Sequence, residues 1–212
     1  MNFRTRIKEY AETPISRHLI LDLLRDYQSP NDKISELLKS KELISLRRGL
    51  YVIGLNIDLP QPEPFLIANH LRGPSYVSLE SALSYWNMIP ERVYEISSVT
   101  TKTSKKYKTP VGRFSYHQLK TPYYSYGIKH IEYSPKQTIL IASREKALCD
   151  KIVLTPKINL RSLKQTQEFL MEDLRIDTEV LRTLETKIIE FWIKDAPKKN
   201  SLKMLIKTLV EL

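Results

Sequence analysis

Two groups of side chains in this 212-residue chain have the types and spacing to do chemistry, and both are cationic. Arg47-Arg48-Gly49 sits between two β-prone runs, Leu43 to Leu46 and Leu50 to Ile53. The glycine supplies the backbone freedom for a turn, which would carry the two guanidinium groups at a hairpin tip. Such a tip suits DNA phosphate or the minor groove. The second group, Lys102, Lys105, Lys106 and Lys108, is interleaved with Tyr107 and followed by Tyr116, Tyr123, Tyr124 and Tyr126. Aromatic platforms beside cations can stack unpaired bases. The plainer expectation is tyrosines half-buried in a sheet, with the lysines on a solvated hairpin tip and polyanion binding as their possible role.

Catalytic chemistry finds little support. His18, His70, His117 and His130 are scattered, and none stands at ligand spacing from another His or a Cys. The single cysteine, Cys149, excludes an internal disulfide and any multi-cysteine zinc site. It lies in an apolar helical pattern, where cysteine is usually a small core residue. Glu145 and Asp150 are too far round one helix to address one atom, and five glycines in the whole chain argue against a phosphate-binding loop. The expectation is a non-enzymatic protein with no catalytic residues, no metal and no cofactor.

Composition agrees with a polyanionic partner. A net charge of +10 and a pI near 9.5 favour binding through counterion release. Residues 161–212 hold 10 Lys/Arg against 9 Asp/Glu, so the final quarter is the least suited to nucleic acid. No run of about 18 apolar residues occurs and the start lacks a signal-peptide core, so no membrane partner and a cytoplasmic location are expected.

The elements that must position these residues are legible in part. Phe3, Ile7, Tyr10 and Ala11 form a first helical stripe. Thr13-Pro14 reads as the start of a second helix, with Ile15, Leu19, Leu23, Leu24 and Tyr27 on one face. Ser29-Pro30 reads as cap and first residue of a third, with Ile34, Leu37 and Leu38 inward. Three helices and a cationic hairpin are the order of a winged helix-turn-helix. Arg47, Arg48, Lys33, Lys39, Lys41 and Arg6 are then its candidate DNA contacts, because Asp32 and Glu36 leave the helix face itself nearly neutral.

Leu59-Pro60-Gln61-Pro62-Glu63-Pro64 breaks helix and ladder alike. The expected organisation is α+β: a winged-helix domain at 1–56, a proline-rich linker at 57–64, and a mixed α/β domain with terminal helices at 65–212. In that second domain Ser78 and Ser143 read as helix caps. Tyr94 to Thr100, Gly112 to Leu119, Gly127 to Tyr133 and Thr138 to Ala142 read as strands. Leu181, Leu184, Ile188 and Trp192 form one late helical stripe; Leu202, Leu205, Ile206, Leu209 and Val210 form another.

Within it, Arg72-Gly73-Pro74-Ser75-Tyr76-Val77-Ser78-Leu79-Glu80-Ser81-Ala82-Leu83, Thr109-Pro110-Val111-Gly112-Arg113-Phe114-Ser115-Tyr116 and Ala142-Ser143-Arg144-Glu145-Lys146-Ala147-Leu148 form a long pattern. Together with Arg47-Arg48-Gly49-Leu50-Tyr51-Val52 it resembles the AbiEi family, the antitoxin half of type IV toxin–antitoxin, abortive-infection systems. The resemblance implies an autorepressor binding inverted repeats in its own operator DNA. It also implies an antitoxin that counteracts a nucleotidyltransferase-like toxin, without necessarily forming a stable complex with it. The alternative from the residues alone is a protein- or RNA-binding module that uses the basic central region.

Overall fold

The chain opens with a short helix, α1 (Phe3–Arg6), continued by a 3-10 turn (Ile7–Tyr10) that buries Phe3 and Ile7. These belong to a computed structural model that describes residues 3–212; the first two positions of the expected N-terminal module lie outside the described residues.

The second helix starts later than the Thr13-Pro14 signal predicts. Ile15–Ser16 is a short strand, β1, whose residues pair with Tyr51 and Leu50. Those backbone groups are taken by the sheet, so helix α2 (Arg17–Leu23) begins after them, with the Ser16 hydroxyl accepting from the Leu19 amide at 3.2 Å. Leu24 and Tyr27 fall beyond its end. Helix α3 (Pro30–Lys39) follows and buries Ile34 and Leu37 as its spacing predicts. Strands β2 (Leu43–Arg47) and β3 (Leu50–Ile53) form an antiparallel hairpin that turns at Gly49, where φ is +82°. The sheet order is β1-β3-β2.

Beyond the prolines, α4 (Pro64–Leu71), β4 (Ser75–Val77) and α5 (Leu79–Tyr85) lead into a six-stranded mixed sheet. Its other strands are β5 (Glu95–Thr100), β6 (Lys105–Thr109), β7 (Gly112–Gln118), β8 (Ile128–Ser134) and β9 (Gln137–Ala142), in the order β6-β7-β5-β4-β9-β8. The β4–β9 and β5–β7 pairs are parallel and the rest antiparallel. Tyr116 faces α4, donating to the Ala68 carbonyl at 2.6 Å. Tyr76 faces the opposite way, toward α6 (Arg144–Leu154), as shown by its 2.9 Å bond to Asp150.

Three sequence expectations change here. Lys105, Lys106 and Lys108 are not on a loop tip; they lie on β6, an edge strand paired with β7. Edge strands commonly carry lysine, since its charge discourages pairing with another chain. The late apolar stripe is also divided. Leu181 ends up on α8 (Thr178–Arg182), while Ile188 and Trp192 are on α9 (Thr186–Ile193), where Ile188 is exposed. Before α8, α7 (Leu163–Gln167) runs into a π turn over Glu168–Asp173. On the final helix, α10 (Lys199–Glu211), Val210 faces out rather than in. The Lys198 ammonium ties this end to α6 by donating to the carbonyls of Ile152, Thr155 and Ile158 at 3.1, 2.7 and 2.8 Å.

The proline stretch is docked rather than free. Gln137 of β9 accepts from the Glu63 amide at 2.6 Å and donates to the Gln61 carbonyl at 3.3 Å. No helix among the described residues is long and apolar enough to cross a membrane.

Candidate functional site

The first quarter of the chain assembles one polar, cationic surface. The Arg17 amide donates to the Gly49 carbonyl at 3.0 Å, which fixes the start of α2 against the hairpin turn. The Arg17 guanidinium then reaches the Asn31 carboxamide oxygen at 2.6 Å, on the first turn of α3. Arg17, His18, Asn31 and Arg48 are all exposed. The hairpin tip, the start of α2 and the start of α3 therefore share one surface.

The six candidate contacts do not all converge there. Arg48 stands on the hairpin turn itself and is exposed. Arg47 is beside it, but its Nε donates to the Leu71 carbonyl at 2.9 Å, tying the hairpin to the end of α4. Arg6 is directed elsewhere, bonding the Leu23 carbonyl at 3.0 Å and pairing with Asp26. That hydrogen bond and charge hold the Asp26 carboxyl below its usual range. Lys33 pairs with Glu36 at 2.6 Å and lies over the Tyr27 ring. Lys39 and Lys41 are exposed at the far end of α3, roughly 12 Å from Asn31 at about 1.5 Å rise per residue. Arg17 was missed in the sequence because a helix expected from Pro14 places it mid-helix. Only the β1–β3 pairing shows that it starts α2 beside the turn.

The lysines of the central region also separate. Lys102 donates to the Gly73 carbonyl, and Lys105 lies 4.9 Å from the Tyr107 ring centre. Lys108 is exposed. Lys106 points to the other face of the sheet, pairing with Glu95 at 3.6 Å. It lines a cleft of about 610 Å³ between that face and helices α5 and α6. His117, Ser115, Glu80 and Lys151 line the same cleft. Burial pushes Glu80 up, but the hydrogen bond and charge of Lys151 outweigh it and leave its carboxyl below the usual range. Burial lowers His117, holding the imidazole toward its neutral form. The four histidines lie on four different elements, α2, α4, β7 and β8, and among the described residues no cluster of three His, Cys, Asp or Glu could hold a metal.

Tyr76, Ser78 and Lys146, from two segments of the long sequence pattern, meet in a buried network around Asp150. Asp150 accepts from the hydroxyls of Tyr76 at 2.9 Å and Ser78 at 2.8 Å, and pairs with the Lys146 ammonium at 2.9 Å. Lys146 also donates to the Tyr123 carbonyl at 3.0 Å, and its ammonium lies 3.4 Å from that ring's centre. Both charges are fully buried. Burial, with Asp150 adding to it, pushes the Tyr76 and Tyr123 phenols far up. This network is sealed from solvent and holds β4, α5 and α6 together. Cys149 beside it is a core residue, its thiol pushed up by burial.

No family model and no curated protein matches the chain. Solved structures do. The crystal structure of the RV2827C protein from Mycobacterium tuberculosis superposes with a TM-score of 0.60 at 12% identity, covering 97% of this chain and 75% of that one. At that identity the similarity is one of fold, and it places the α+β architecture among known proteins.

Proposed function

We propose that the protein is a DNA-binding autorepressor and AbiEi-type antitoxin, non-enzymatic, encoded with a nucleotidyltransferase-like toxin. The observation that carries the DNA-binding half is the common surface of the hairpin turn, α2 and α3. Helix, strand, two helices and a hairpin, with the short strand completing a three-stranded sheet, support the reading of a winged helix-turn-helix. In that reading α3 enters the major groove by its N-terminal end, where Asn31 and Ser35 are exposed, and Arg17 and Arg48 flank it on phosphate. The antitoxin half rests on the sequence pattern at residues 72–148.

The test is fluorescence anisotropy with the DNA upstream of the chain's own reading frame, across a range of salt. The double variant Arg17→Ala/Arg48→Ala is expected to bind more weakly, with a salt slope smaller by about 0.9 for each phosphate that is no longer neutralised. Lys39→Ala/Lys41→Ala, at the far end of α3, should change the slope less. An unaltered slope in the first variant refutes the surface. Growth under toxin expression tests the antitoxin half separately; no rescue by the full chain refutes it.

A further inference from the structure

A second pocket, of about 290 Å³, opens between the start of α6, helix α9 and strand β8. Trp86 and Trp192 form two of its sides, and Ile131 and Ile188 add apolar wall. Both indoles are fixed: Trp86 Nε1 donates to the Ala142 carbonyl at 2.8 Å, and Trp192 stacks on Tyr126 with the planes 7° apart. Gly127 lines it because its φ is +63° and a Cβ there would lie 2.7 Å from the Trp192 ring.

Glu145 also lines this pocket, with 7% of its surface exposed. One carboxylate oxygen accepts from the Ser143 hydroxyl at 2.9 Å. The other has only the Glu185 amide, at a long 3.5 Å. Among the described residues Glu145 has no ion pair, in contrast to Asp150 on the same helix. A buried carboxylate without a cation is costly, and its position at a helix start offsets that only in part. Lys129 and Arg144 line the pocket too, yet neither pairs with it; Arg144 is held outward by the Thr183 hydroxyl at 3.1 Å, and Lys129 is exposed.

We infer that this pocket receives an arginine side chain presented by a protein partner. A planar guanidinium stacks on indole and donates to a carboxylate with two N–H groups at once, which a compact ammonium does not. The volume sits at the low end of ligand pockets, fitting one side chain rather than a large cofactor. Ile188 of the lining is exposed at 37%, and the chain neighbours of the two indoles, Tyr85 (in edge contact with Trp86) and Phe191, are exposed too, at 38% and 59%; apolar surface of this kind suits a protein partner rather than a free amino acid. This inference is independent of DNA binding.

The pocket carries its own reporter, because the chain has 2 tryptophans and both line it. Intrinsic fluorescence of the full chain would be titrated with the blocked peptide acetyl-Leu-Arg-Leu-amide. The same peptide with citrulline, which keeps the shape and loses the charge, is the comparison. A saturable change, at least tenfold weaker for citrulline, is expected. Glu145→Gln should lose the arginine response with its melting temperature retained, and Lys129→Gln should tighten binding two- to threefold. Equal response to the two peptides overturns the inference on the unaltered protein, whatever the variants do. Free arginine binding more tightly than the peptide overturns the docking role, and saturation by AMP that weakens in Lys129→Gln overturns it in favour of an anion site.

Discussion

The two cores of this molecule are built on different principles. The first, around Phe3, Ile7, Leu24, Ile34, Leu43, Tyr51 and Ile53, is a cluster of apolar side chains held by spacing and volume. The buried polar and charged side chains of the described residues all lie in the second region, with Lys146, Asp150 and Ser78 at its centre. An apolar core is satisfied by any side chains of fitting size, whereas a buried charge is satisfied only by its partner. The first therefore tolerates substitution and the second specifies one arrangement. Strand β3 joins them: Tyr51 and Ile53 point into the first core, Leu50 and Val52 into the second.

The largest expected effect breaks the contrast at its source. Asp150→Ala strands the Lys146 ammonium and should destabilise the chain by about 3–5 kcal/mol, while Ile34→Val in the apolar core costs about 0.5–1.5 kcal/mol. Replacing both partners, as Lys146→Met/Asp150→Leu, should recover most of the loss. Urea denaturation measures all three, and a double variant no better than Asp150→Ala would show that the network, not the charge, sets the cost.

The joint between the cores comes next. Leu50→Ala should cost about 2–5 kcal/mol and lower both regions together, as one calorimetric transition. Two separating transitions would show that the hairpin is merely laid on the second region.

The smallest effect concerns acid. Burial lowers His70 and His117, both in the second region, below the ordinary 6.5. The unfolded chain therefore takes up protons first as pH falls through that value, and stability present above it is lost as pH falls on through the lowered values of the folded chain. The charged groups facing His117 are Glu80, Glu95, Lys106 and Lys151. His70→Gln/His117→Gln should flatten the melting temperature between pH 7 and 5. A profile equally steep in that variant would move the acid response to other groups; Glu80, lowered by Lys151, acts only below about 4.5.

Much of the fold was legible because it is local. The α3 stripe, the Gly49 turn, the Ser143 cap and the burial of Cys149 follow from spacing and residue type within a few positions. Elements that depend on a distant strand were not. β1 exists because Leu50 and Tyr51 offer it an edge, and β6 because β7 does; neither Ile15-Ser16 nor a lysine-rich run declares a strand alone. The candidate DNA surface was half legible: Arg48 was, while Arg17 and the diversion of Arg6 and Lys33 into ion pairs were not.

What the sequence determined by itself was the division of each segment into an apolar and a polar face, where turns fall, and a basic balance suited to a polyanion. Periodicity of 2 or 3.6 residues fixes those without any partner. Tertiary structure decided which face meets which. It sent alternate residues of one four-residue strand into two cores, enclosed the Lys146–Asp150 pair of α6 with Tyr76, Ser78 and Tyr123, and left Glu145, five positions before Asp150 on the same helix, lining a pocket with two indoles and without a cation. Charges on one helix are sorted by what packs against them, and that is set by residues far away in the chain.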